Sequence, residues 1–158
     1  PFSTVQVVSA KSSAGLWSLD HLTRDKASFG LGILGMPGST AYGGLFGVLR
    51  PNKGKKEVIW VSGAAGAVGS LVGQLAKKIS GCTVIGSCGG PEKCKLVKEK
   101  FGFDHVIDYK TIKSADEFAA KLREISPNGI DMYFDNVGGM HFEAAMKALA
   151  PRGRVAVC

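Results

Sequence analysis

Residues Glu57 to Ala76 read EVIWVSGAAGAVGSLVGQLA. An apolar run, Val58 to Val61, meets a glycine-rich turn at Gly63, Gly66 and Gly69, and an apolar pattern of helical period follows. Strand, tight turn and helix in that order bring backbone N–H groups and the positive end of a helix to one point, which suits a pyrophosphate. Aligned on Gly66 and Gly69, the dinucleotide fingerprint G-x-G-x-x-G becomes Ala64-Ala65-Gly66-Ala67-Val68-Gly69, with Ala64 in place of the first glycine. Gly66 would let the backbone approach the phosphates, and Gly69 would let the helix pack on the sheet. A purely structural turn is the competing reading.

Outward from this stretch, strands and helices alternate. Strands are expected at 57–62, 83–87, 105–109, 130–135 and 154–158, and helices at 67–79, 91–101, 114–125 and 140–150. Pro91 suits a first helical turn, Gly102 a position just past a helix end, and Ser114-Ala115-Asp116-Glu117 a capping box. Upstream, Met36 to about Leu49 reads as a further helix, whose Gly43, Gly44 and Gly47 lower its propensity and suggest close packing on another backbone. Val5 to Val8 reads as a short strand. The alternation implies an α/β fold, a doubly wound parallel sheet of Rossmann type ordered 3-2-1-4-5. Because the chain stops inside the fifth strand, the sequence reads as a fragment lacking the last strand and a substrate domain. Residues 1–35 are expected to be a crossover segment from that domain, and residues 36–158 the dinucleotide-binding domain.

The cofactor is read at the end of the second strand. An NAD site places an Asp or Glu there to hold the ribose 2′-hydroxyl, but this strand ends Gly86-Ser87-Cys88-Gly89-Gly90. A missing acid removes repulsion of a 2′-phosphate, and Lys93 in the next helix would attract it, so NADP(H) is favoured. An exposed lysine on a solvated helix is the plainer alternative, for Lys93 and more so for Lys95. Asp135-Asn136-Val137-Gly138-Gly139 closes the fourth strand on the carboxyl edge, where Asn136 could meet ribose or nicotinamide. Tyr109, at the end of the third strand, lies on the same edge.

The remaining features set bounds. With 158 residues, 45% hydrophobic and 21% charged, the chain is sized for one globular domain. It shows neither a transmembrane run nor a signal-peptide core. A net charge of +7 suits a solvated lysine-rich surface or a phosphate-rich ligand, and no Arg–aromatic stripe points to nucleic acid. Cys82, Cys88, Cys94 and Cys158 form no C-x-x-C and have no zinc-site partners, so reduced, mostly buried thiols in a cytoplasmic protein are expected, with no metal site. His21, His105 and His141 are scattered, and no nucleophile has a recognisable partner. Hydride transfer needs none.

Gly35-Met-Pro-Gly-Ser-Thr-Ala-Tyr42, Ala64-Ala-Gly-Ala-Val-Gly-Ser70, Glu92-Lys93, Phe101-Gly-Phe-Asp104, Asp108-Tyr-Lys110 and Tyr133-Phe-Asp-Asn-Val-Gly-Gly139 together resemble the medium-chain dehydrogenase/reductase superfamily. Within it they are most similar to the zinc-independent prostaglandin reductases and the NADP-dependent alkenal double-bond reductases, over roughly residues 30 to 158. The resemblance implies NADPH-dependent reduction of the C=C bond of small α,β-unsaturated aldehydes and ketones, with hydride going to the β-carbon. It implies that Lys93 and Tyr109 hold the 2′-phosphate beside Gly89, and that Gly66, Ala67 and Val68, with Gly69 behind them, line the pyrophosphate. Met36 and Thr40 would lie near the nicotinamide and Asn136 near its ribose. The substrate domain and catalytic residues of such enzymes fall outside this chain, which alone is expected to show little turnover. A quinone oxidoreductase of the same superfamily and a non-catalytic NADP(H)-binding module are the alternatives. Whether the longer protein is a homodimer stays open.

Overall fold

The computed structural model describes residues 22–158; the expected strand at Val5–Val8, and His21, lie outside the described residues. After a 3-10 segment at Arg24–Gly30, the elements are α1 (Met36–Tyr42), β1 (Val58–Ser62), α2 (Ala67–Ser80), β2 (Thr83–Cys88) and α3 (Pro91–Glu99). They continue with β3 (His105–Asp108), α4 (Ala115–Ile125), β4 (Ile130–Asp135), α5 (Met140–Ala148) and β5 (Leu149–Val157). All pairings are parallel and the order is β3-β2-β1-β4-β5, the doubly wound arrangement expected from the alternation.

The sheet is covered on both faces because its central strands carry apolar side chains in both directions. In β1, Ile59 and Val61 join one core with Leu45, Val72, Ala76, Val84 and Phe134. Trp60, between them in sequence, joins the other with Ile85, Phe118, Leu122 and Tyr133. One aromatic ring ties three segments together. A Cβ on Gly73 of α2 would stand 2.0 Å from Phe103 Cζ, and one on Gly86 of β2 2.7 Å from Phe103 Cδ1. Phe103 thus occupies the space that both glycines leave, between helix and sheet.

Four local expectations are corrected. The helix from Met36 does not run uniformly to Leu49: α1 stops at Tyr42, and residues Gly43–Leu49 wind wider, with Arg50 N–H donating to Leu45 O five residues back. Its glycines do not pack on another backbone. Gly44 faces the Phe134 ring, where a Cβ would come within 2.5 Å, whereas Gly43 and Gly47 face open space. Helix α5 ends at Ala148, and β5 begins at Leu149 rather than at residue 154. Pro151 lacks the N–H a helix would use, and the extra residues are taken up by an irregularity opposite Ile130 and Met132. At α4, Ser114 Oγ accepts from Glu117 N–H at 3.2 Å as a cap should, but Glu117 Oε2 reaches the N–H of Lys113 instead of closing the box on Ser114.

Candidate nucleotide-binding site

The carboxyl ends of β1, β2, β3 and β4 converge on one cleft of about 230 Å³. Its walls are Gly63, Ala65 and Gly66 after β1, Cys88 and Gly89 at β2, Lys93 of α3, Tyr109 after β3 and Val137 after β4. Of the expected site residues, the fold therefore gathers Gly66, Gly89, Lys93 and Tyr109. A larger, mostly apolar hollow of about 420 Å³ lies between Ile33, α1 and the Leu71–Leu75 face of α2, and none of the strand-end loops line it.

The β1–α2 turn is built for a close approach. Gly63 takes φ +61°, a conformation that side-chain-bearing residues seldom adopt, and the turn closes through Gly66 N–H to Gly63 O at 2.9 Å. The tight-turn glycine is thus Gly63, one residue ahead of the Ala64 that stands in the fingerprint position. Ala64 is buried and its N–H donates to Ser87 O, joining the turn to β2. Gly66 caps α2 without any side-chain hydrogen bond to its first turn. The N–H groups of Ala67, Val68 and Gly69, unpaired within any helix start, therefore remain available to an anion. Gly69 is required by packing: a Cβ there would lie 2.4 Å from Gly63 O and 2.9 Å from Gly63 C.

The opposite wall is positioned by Asp108. Its Oδ1 accepts from Gly90 N–H at 2.9 Å and Lys110 N–H at 3.0 Å, fixing the β2–α3 turn against the end of β3. Those N–H groups, the Gly90 one foremost, hold the Asp108 carboxyl below the usual range despite partial desolvation. Gly90 itself has φ +93°, and Pro91 starts α3 behind it. Lys93 is exposed on the first turn of α3, while Lys95 lines other hollows, away from this cleft.

The β4 end is organised by residues that the sequence reading did not single out. Asp135 is 4% exposed. Its Oδ1 accepts from Tyr133 Oη at 2.7 Å and from the N–H groups of Gly138 at 2.7 Å and Val137 at 3.0 Å. Burial alone would raise the Asp135 carboxyl, but these donors outweigh it and hold the group ionised below its ordinary value. Burial above all, then the neighbouring carboxylate, pushes the Tyr133 phenol far up, so it stays a donor. Ser62 Oγ accepts from Asn136 N–H at 2.9 Å, and Asn136 Nδ2 donates to Ser62 O at 2.7 Å. The Asn136 amide is therefore held beside Gly63, with Oδ1 as its remaining polar atom. The signal for Asp135 was present in Asp-x-x-Gly, since Asp accepts from N–H groups two and three residues on.

His141, also 4% exposed, lies behind this wall. Its ring stacks on Trp60 and meets Phe118 and Tyr109 edge-on, the last at 5.2 Å between centroids, and its Nε2 has no partner. Burial lowers its pKa, against an opposing pull from Asp135. Met36 and Thr40 are not among the cleft walls; Thr40 Oγ1 and Met36 Sδ contact each other at 3.5 Å on α1, where Met36 is largely exposed. Among the described residues, no group of three His, Cys, Asp or Glu side chains is placed to hold a metal ion, and no helix is long and apolar enough to cross a membrane.

An open parallel sheet whose glycine turn, uncapped helix and carboxyl-edge cleft meet in this way defines a dinucleotide-binding domain. The zinc-binding dehydrogenase family matches residues 67–158, and the chain belongs to that family, within the medium-chain dehydrogenase/reductases. It is 50% identical over 131 residues to (+)-pulegone reductase of Mentha piperita and to the NADP(+)-dependent 2-alkenal reductase of Nicotiana tabacum, matches that cover 83% of this chain and 36% of each relative. Among solved structures, that of CurA from Vibrio vulnificus in complex with NADPH superposes with a TM-score of 0.74 at 46% identity, covering 84% of this chain and 37% of that one. The chain thus spans little more than a third of the length of these relatives.

Proposed function

We propose that residues 36–158 form the NADP(H)-binding domain of a reductase acting on the C=C bond of α,β-unsaturated aldehydes and ketones, with residues 1–35 as the crossover from its substrate domain. The observation that carries this reading is the composition of the cleft. An uncapped helix start at Ala67–Gly69 and a lysine at Lys93 face a β2 end without a carboxylate. The glycines fit this reading: Gly66 and Gly69 let the turn fold tightly onto Gly63, which sets the start of α2 at the cleft, and Gly89 gives room to Tyr109. At about 230 Å³ the cleft suits the phosphate-bearing adenosine end of an extended dinucleotide rather than the whole molecule.

In this reading Ala67, Val68 and Gly69 N–H groups hold the pyrophosphate, and Lys93 with Tyr109 holds the 2′-phosphate beside Gly89. Asn136, braced on Ser62, presents Oδ1 toward ribose. Met36 and Thr40 take the nicotinamide side. Bound NADPH supplies the hydride. The relatives named above are a (+)-pulegone reductase and an NADP(+)-dependent 2-alkenal reductase, and these names favour an enone or enal substrate for the whole protein.

Fluorescence titration of the chain with NADPH and NADH tests the reading. NADPH is expected to bind at least about tenfold more tightly, a difference of about 1.4 kcal/mol. Equal affinities would overturn the assignment of Lys93.

A further inference from the structure

Cys88 and Cys94 stand together at the cleft. Cys88 is the last residue of β2, is buried, and lines the cleft next to Gly89. Cys94 follows Lys93 in α3 and is half-buried. Their sulfurs are 3.5 Å apart, and both are free thiols. A disulfide needs the sulfurs at about 2.05 Å, so they must close by roughly 1.5 Å. Cys94 sits on an exposed helix turn that can supply the movement.

We propose that Cys88 and Cys94 are a thiol–disulfide switch, closed by a small-molecule disulfide such as oxidised glutathione, that shuts the nucleotide cleft when oxidised. The second half of this statement rests on the NADP(H) reading; the first does not. Cys94, the more accessible thiol, gives up its proton and its sulfur attacks one sulfur of the oxidised glutathione. One glutathione leaves as thiolate and takes up a proton. Cys88 then gives up its proton and its Sγ attacks Cys94 Sγ, the mixed disulfide breaks, and the second glutathione leaves as thiolate and takes up that proton. Two protein thiols lose two electrons and one disulfide becomes two thiols, so the exchange balances.

The division of roles follows from the surroundings. Burial first, then its contact with Cys94, pushes the Cys88 thiol up to about 12, which makes it a poor first nucleophile. Adjacent to a mixed disulfide on Cys94, it gains the advantage of proximity. The closed form acts on binding through position. Drawing Cys94 toward Cys88 pulls the first turn of α3, and with it Lys93, against Gly89. A dinucleotide already in the cleft would cover Cys88 and slow the reaction.

The test uses the chain with Cys158→Ser, to remove the exposed thiol, incubated with oxidised glutathione with and without NADP+. Intact mass and mapping after alkylation should show a Cys88–Cys94 link without retained glutathione, formed more slowly when NADP+ is present. NADPH affinity should fall at least about tenfold and recover with dithiothreitol. Cys94→Ser should keep full affinity through the same treatment. Stable glutathione on Cys94 without closure overturns the switch, as does a closed link that leaves affinity unchanged. Should the reduced chain bind no NADPH, the nucleotide reading fails and takes the gating role with it, while mass mapping still decides whether the link forms.

Discussion

Gly89 leaves the space in which Tyr109 lies: a Cβ at position 89 would stand 2.8 Å from Tyr109 Oη and 2.9 Å from Cζ. The obstructed atoms belong to the tip of a side chain, so the clash can be relieved by moving Tyr109. Gly89→Ala is therefore expected to leave thermal stability within about 1 kcal/mol of the parent. Its NADPH affinity should fall about tenfold, as read by fluorescence titration.

Gly69→Ala is the contrasting case. Its Cβ would meet backbone, Gly63 O at 2.4 Å, which cannot swing aside. A cost of about 2 kcal/mol is expected, with a fall in Tm of roughly 4–8 °C. Differential scanning calorimetry of the two alanine variants separates them, and similar Tm values would contradict the packing argument.

Lys93→Ala should weaken NADPH binding by roughly 10- to 100-fold, as for loss of a charge-assisted hydrogen bond. NADH has no 2′-phosphate, so its affinity should hardly change. Parallel losses for both cofactors would show that Lys93 acts on something common to them.

Asp135→Ala removes the shared acceptor of Tyr133 Oη and of the Val137 and Gly138 N–H groups. Leaving these donors unpaired should cost about 3 kcal/mol, measured by urea denaturation. The variant should also lose the ordered β4–α5 turn, seen as faster amide exchange at residues 136–139.

Acid should destabilise the fold in two separate steps. Burial depresses the folded-state pKa of His141, so the unfolded chain takes up a proton near pH 6.5 that the folded chain resists. Stability from this group is whole above about pH 6.5 and is lost as pH falls toward the folded value. Asp135 is also depressed, and its contribution, whole above about pH 4, is lost in stronger acid. Tm measured against pH should decline from neutrality into mild acid, and His141→Phe should flatten that limb while retaining the steeper one below about pH 4. An unchanged limb would assign the mild-acid loss to another group.

The sheet was readable because β1, β2 and β4 are apolar runs separated from the helices by turn residues, so order and crossover rules left little choice even for the short, half-exposed β3. What sequence could not supply lies where tertiary contact overrides pattern. Ala64 stands in the glycine position of the fingerprint, yet the left-handed residue is Gly63, and only the backbone angle distinguishes the two. At Gly43–Leu49 the neighbour facing Gly44 is Phe134, distant in sequence, whereas the early end of α5 has a local marker in Pro151 and only the irregularity opposite Ile130 and Met132 needs the distant β4. Gly66, Gly89, Lys93 and Tyr109 could be gathered from strand ends alone. The network in which Ser62 Oγ of β1 accepts from Tyr133 Oη at 3.2 Å and donates to Asp135 Oδ1 at 3.4 Å could not, because it joins strands far apart in sequence through side chains that look ordinary singly.

Phe103 fills the space left by both Gly73 and Gly86, and this has a consequence for how such a chain can change. Neither glycine can acquire a methyl group while the ring is present, and the ring cannot shrink without leaving a void that neither glycine can fill. Positions 73 and 103 therefore behave as a single inherited character: a viable route from Gly to Ala at 73 begins with a smaller residue at 103, and the order of the substitutions decides whether the intermediate folds, whereas position 86 stays closed by Ala64 Cβ at 2.9 Å as well.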